Sequence, residues 1–122
     1  MEPDAPLAPP VVAVVVVHAP GPWFEETLDS LVDQDYPNLN TLFLLTGGPL
    51  DADGGDLEAR ILARLPEAFV RDLGDNPGFG PAANEVLRLV EGDAGFFCFC
   101  HDDIALEPDA IRLLLEELYR SN

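Results

Sequence analysis

The chain has 122 residues, of which 48% are hydrophobic, and it carries a net charge of −17 from 23 acidic residues, six arginines and no lysine. That length fits one small domain, and that apolar share builds a core, which sets aside a disordered acidic tail. The charge argues against nucleic acid and anionic lipid as partners, because phosphate meets repulsion over most of the surface.

Residues 1–10 hold four prolines and read as a disordered lead-in; being acidic, they do not form a secretion signal. The folded unit is expected over 11–122. Val11 to Val17 is an unbroken apolar run, the pattern of a strand buried on both faces and too short to span a bilayer. Gly21 and Pro22 mark a helix start, with Pro22 at the first helical position. Phe24, Leu28, Leu31 and Val32 then recur at helical spacing through Gln34, and DYPN breaks the helix. Leu42 to Leu45 predicts a second buried strand. TGGPLDADGGD is a loop rich in glycine and aspartate, and Asp56 can cap a helix with Leu57, Ile61 and Leu65 on one face.

Ala68 to Leu73 predicts a third, short strand. GDNPGFGP is a second glycine-rich loop, after which Gly80 and Pro81 start a helix with Val86, Leu87 and Val90. Phe96 to Cys100 predicts the fourth strand, with Phe96, Phe97 and Phe99 as core. Pro108 starts a last helix with Ile111, Leu114, Leu115 and Leu118 on one side. Strands alternating with helices imply an α/β fold: a three-layer αβα half-domain around a four-stranded, mainly parallel sheet with right-handed crossovers. The expected order is 3-2-1-4, as in half of a Rossmann-like nucleotide fold.

Cys98 and Cys100 sit two apart in the fourth strand, on one face but on a backbone too extended for an easy mutual disulfide. They read as free buried thiols, which suits a reducing compartment. A zinc site there would need more ligands, and only His18 and His101 offer imidazoles.

In such a sheet, ligands bind beyond the carboxyl ends of the strands, where strand order reverses. That point lies between strands one and four, whose ends carry His18-Ala19-Pro20 and His101-Asp102-Asp103. Adjacent carboxylates there can hold a hard divalent cation, which bridges to phosphates that the acidic surface would repel. They can equally be loop residues that cap a turn. Asn76 to Gly80, NPGFG, leads into a helix N-terminus whose amides can face an anion, or forms a plain turn. Asn84 faces either water or a neighbouring loop. No Ser-His-Asp spacing exists, and without lysine a phosphate-binding P-loop is excluded.

Four pieces together carry a resemblance: VVAVVVVHAP, FEETLDSLVDQDYPN, NPGFGPAANEVL and FCFCHDDIALEPDAI. In this order they resemble the N-terminal half of an inverting family 2 glycosyltransferase of the GT-A fold, over residues 11–120. The second piece is similar to that family's L-x-S-L-x-x-Q-x-Y-P helix. The third is similar to its N-x-G-F-x-x-A-x-N stretch, and the fourth stands at its metal-binding DxD motif. The resemblance implies a nucleotide-diphosphate sugar as ligand and Mn2+ or Mg2+ as cofactor. It places His18, Ala19 and Pro20 at the nucleotide pocket, Asn76 and Gly78 beside the nucleoside, and Asn84 on the following helix. It gives His101 and Asp102 to ribose or diphosphate, and Asp103 to the metal.

Two departures stand out. LLTGGP, with Thr46, occupies the place of a base-reading aspartate, for which Asp51 or Asp53 could substitute. His101, which brings no fixed charge, takes the first DxD position. The general base of transfer and the acceptor site are expected downstream, so the chain reads as an inactive part of a longer, cytoplasmic enzyme. Its acceptor would be a glycan or a lipid-linked saccharide, met at the cytoplasmic face of the membrane in many relatives. An exposed sheet edge could pair with a second copy. The rival reading is a degenerate, non-catalytic module for assembly or regulation. A receiver-like domain needs an acidic pair after the first strand and a lysine, and has neither here.

Overall fold

The computed structural model describes residues 9–18, 20–50, 54–74 and 96–121. β-branched residues without polar interruption favour an extended chain buried on both sides, and Val11–Val17 forms the central strand β1. It is flanked by β2 (Leu39–Leu45) and β4 (Phe96–His101), with β3 (Phe69–Asp72) beyond β2. The order is β3-β2-β1-β4 and every pair is parallel, as the sequence predicts. β2 begins at Leu39 rather than Leu42, β4 runs on to His101, and β3 is shorter than predicted and largely exposed.

Three helices are described: α1 (Phe24–Val32), α2 (Leu57–Arg64) and α3 (Ala110–Ser121). Pro22 is not at the first helical position of α1. It lies in a turn, and the Phe24 N–H donates to the Gly21 carbonyl at 3.3 Å. Pro108 likewise precedes α3 in a turn that the Ala110 N–H closes on the Glu107 carbonyl. In both cases proline sets the approach to the helix rather than its first residue.

One face of the sheet presents Ala13, Val15, Val17, Phe43 and Leu45 to Phe24, Leu28 and Leu31 of α1 and to Leu57 and Ile61 of α2. Phe24 meets Phe43 edge-on at 6.4 Å, and the Arg60 guanidinium lies 5.3 Å from the Phe24 ring centre. α3 joins the same side of the sheet through Ile111 and Leu115, packed with Val11 and Tyr36. Val14, Val16, Leu42 and Leu44 form the core of the opposite face. The helix expected after Pro81 falls within residues 75–95, outside the described residues, as do residues 1–8 of the lead-in. Pro9 and Pro10 accept hydrogen bonds from Tyr36 Oη and the Phe96 N–H.

Two apolar predictions change at the β4 edge. Leu114 and Leu118 are exposed, and only Ile111 and Leu115 of the predicted face are buried. Phe97 and Phe99 are 39% and 44% exposed rather than core. Among the described residues β4 has a single neighbour in the sheet. Among the described residues no helix is long and apolar enough to cross a membrane.

Asp56 caps α2 as predicted, its Oδ1 accepting from the Ala59 N–H at 3.2 Å. Asp56→Ala is expected to cost about 1 kcal/mol, read as a lower urea midpoint with an unchanged slope.

Candidate functional site

The connection from β1 runs towards β2, while β4 pairs on β1's other side, so the order reverses between β1 and β4. The β1–β4 ladder ends where Val16 pairs with His101. Immediately beyond, the His18 N–H donates to Asp102 Oδ2 at 2.8 Å, across 84 residues of sequence. The acceptor is a carboxylate, and such bonds are shorter and stronger than neutral ones. Asp102 therefore clamps the loop after β1 to the loop after β4.

The structure brings His18 and Asp102 into contact and carries His101 and Asp103 on either side of Asp102 in the chain. His18, His101 and Asp103 are exposed, Asp102 is half-buried, and Pro20 is buried. Asp103 makes no hydrogen bond or ion pair among the described residues. Ala19, Asn76, Gly78 and Asn84 lie outside the described residues, as do Asp51 and Asp53. Thr46 is buried at the end of β2, and both its hydroxyl (3.1 Å) and its N–H (2.8 Å) donate to the Val17 carbonyl. Its polar groups serve the backbone at the mouth of the sheet.

Sequence reasoning missed the residues that hold the loop after β4. Thr27 of α1 is fully buried, with its hydroxyl 2.6 Å from the Ile104 carbonyl and 3.1 Å from that of Asp102. Its single proton serves the shorter contact, and the second carbonyl lies within its reach. Ser30 Oγ donates to the Thr27 carbonyl at 2.8 Å. Gln34 spends its whole amide: Nε2 donates to the Ser30 and Glu107 carbonyls at 3.0 and 2.7 Å, and Oε1 accepts from the Ile111 N–H at 3.1 Å. The Asp35 N–H donates to the Pro108 carbonyl at 2.8 Å. Burial of the Tyr36 phenol, whose O–H donates to the Pro9 carbonyl, pushes its pKa up. The signal was present in the sequence. Thr27, Ser30 and Gln34 put polar groups near the apolar stripe of an amphipathic helix, where they need partners.

Among the described residues no three His, Cys, Asp or Glu side chains gather as a metal cage. Among the described residues the donor set at the switch point is Asp103, whose carboxylate has no partner there, beside Asp102 with one oxygen engaged. That set fits a hard cation of the Mg2+ or Mn2+ type, which keeps waters and takes one or two carboxylates together with substrate phosphates.

The family model described as "Glycosyl transferase family 2" matches residues 12–122. No curated protein matches the chain. Among solved structures, S. aureus TarS 1-349 in complex with UDP-GlcNAc is 20% identical, with a TM-score of 0.69 over 91% of this chain and 31% of that one. The mannosyltransferase PcManGT from Pyrobaculum calidifontis, in complex with GDP-Man and Mn2+, is 23% identical, with a TM-score of 0.60 over 85% of this chain and 30% of that one. At these identities the likeness establishes the fold, the GT-A arrangement. The chain spans less than a third of the length of either structure.

Proposed function

Because the chain belongs to glycosyl transferase family 2, we propose that it forms the donor-binding part of a glycosyltransferase and holds a nucleotide-diphosphate sugar. The observation that carries this reading is the exposed Asp103 carboxylate, without a partner among the described residues, beside the His18–Asp102 clamp at the switch point of the sheet. The ligands named for the two structural relatives, UDP-GlcNAc and GDP-Man with Mn2+, support the ligand class.

In this reading Asp103 holds Mn2+ or Mg2+, which offsets the charge of the departing nucleotide diphosphate. His18, Ala19 and Pro20 line the nucleotide pocket, and Asn76, Gly78 and Asn84 complete it. Asp102 uses Oδ2 to fix the His18 loop, leaving its other oxygen for a ribose hydroxyl, and His101 contacts ribose or diphosphate. Deprotonating the acceptor hydroxyl requires a base within hydrogen-bond reach of it. No residue of this chain takes that role in the proposal; the base and the acceptor site, for a glycan or lipid-linked saccharide, belong to the remainder of a longer cytoplasmic enzyme.

A second reading, a non-catalytic family member serving assembly or regulation, is favoured by one observation. Thr46 stands where the resemblance calls for a base-reading aspartate, and its polar groups are committed to the Val17 carbonyl. Calorimetric titration with UDP, GDP and dTDP, with and without Mn2+, separates the two. Metal-dependent binding that Asp103→Ala abolishes is the expected result. Equal affinity in the variant would remove Asp103 from the site, and no binding by the wild-type protein favours the second reading.

A further inference from the structure

We propose that Cys98 and Cys100 form a two-thiolate site for one soft, thiophilic cation of the monovalent copper class, entered from the groove between β4 and α3. The two sulfurs lie 4.0 Å apart on the same face of β4. Metal–thiolate bonds of about 2.3 Å let two sulfurs around one ion stand up to roughly 4.6 Å apart. The pair can therefore bridge an ion without moving the backbone.

A disulfide is the competing fate, and the sheet opposes it. Cys98 pairs with Ala13 and Cys100 with Val15 in the β1–β4 ladder. That ladder holds their Cα atoms near the extended separation of about 6.6 Å, at the far limit for a disulfide. Closing an S–S bond would require β4 to contract against its ladder, whereas a bridging ion would not.

The surroundings select the kind of ion. The groove is about 280 Å³ and mostly apolar, walled by Phe96, Phe97, Ile111, Leu114 and Leu118; among the described residues Glu117, paired with Arg120, is the one charged residue lining it, and Cys98 opens onto it. Cys100 is buried beneath, only 5% exposed. A hard cation would lose its water there and find no oxygen cage; a soft cation is satisfied by two sulfurs. Zinc, which needs four ligands, finds no third His, Cys, Asp or Glu gathered with the pair among the described residues. The hydrogen bond from the Cys100 thiol lowers the Cys98 pKa to about 7 and raises that of Cys100. Each thiol gives up its proton as its bond to the ion forms.

The test is anaerobic titration of the intact chain with Cu(I) against a coloured Cu(I) chelator. One equivalent withdrawn from the chelator by the wild-type protein, and none by Cys98→Ser or Cys100→Ser, is the expected result. A single-serine variant that competes as well as wild type overturns the proposal. A second measurement needs no variant. Phenylarsine oxide should add once to the folded protein, two As–S bonds forming as its oxygen leaves as water with both thiol protons. The adduct should resist excess monothiol and yield to a dithiol. An adduct stripped by monothiol, or seen only after unfolding in urea, overturns it as well. Neither readout involves Asp103 or nucleotide, so each stands apart from the donor-site reading.

Discussion

Phe43→Ala is expected to cost about 3–5 kcal/mol, the range for deleting a fully buried phenyl ring. Phe43 sits in β2, which pairs with both β1 and β3, and its ring is wholly buried. It meets Phe24 of α1 edge-on and belongs to the cluster that joins α1 and α2 to the sheet. Alanine would leave a cavity between those layers, and a sheet paired on both sides of the strand cannot collapse into it. Against a total of roughly 5–15 kcal/mol for an ordinary domain, the loss approaches complete unfolding. Urea denaturation followed by far-ultraviolet circular dichroism reads it directly. The companion substitution Phe97→Ala, at the open edge of β4, is expected to cost about 1 kcal/mol or less. Equal losses at both positions would mean that the β4 edge is as well packed as the core.

Thr27→Val keeps the shape of the side chain and removes one hydroxyl. It leaves the half-buried Ile104 carbonyl without its donor from the buried Thr27, an expected cost of about 1 kcal/mol, at the low end of the range for an unsatisfied group. The effect should also be local. The loop from Asp102 to Glu107 is tied to α1 by Thr27 and to the segment just after α1 by Gln34, so losing one tie should speed amide exchange there while β1 and β2 stay protected. The His18 N–H should exchange faster too, since its acceptor rides on that loop. Thr27→Ser restores the hydroxyl and should recover most of both effects. Unchanged stability together with unchanged exchange over 102–107 would show that Thr27 does not position the loop.

The sheet was legible because its two central strands are buried on both faces, so Val11–Val17 and Leu42–Leu45 read as uninterrupted apolar runs. Reversal of strand order then pointed to a candidate site, and His18 with Asp102 do meet there. The edges were not legible. Phe97, Phe99, Leu114 and Leu118 have the composition of core, but burial depends on what lies alongside, and apolar periodicity cannot show that a strand has one neighbour. Nor did the sequence divide the aspartates by task. Among the described residues Asp102 is bonded to a backbone amide and Asp103 is not, a difference of loop path that two identical adjacent side chains cannot display. Thr27, Ser30 and Gln34 were readable as polar intrusions in an apolar stripe, yet the targets of Thr27 and Gln34 lie in a segment more than 70 residues away.

The parallel pairing of β1 with both β2 and β4 also sets a schedule. The His18–Asp102 contact closes 84 residues of chain, and every pairing in the sheet spans a crossover, the topology that folds slowly. At roughly 5–20 residues per second of synthesis, the valine-rich stretch waits on the order of ten seconds for its second neighbour. Throughout that interval its unpaired edge can join another nascent copy as readily as its own β4. Seen in time rather than space, the charge of −17 becomes a kinetic safeguard: mutual repulsion keeps half-made chains apart until β4 pairs with β1.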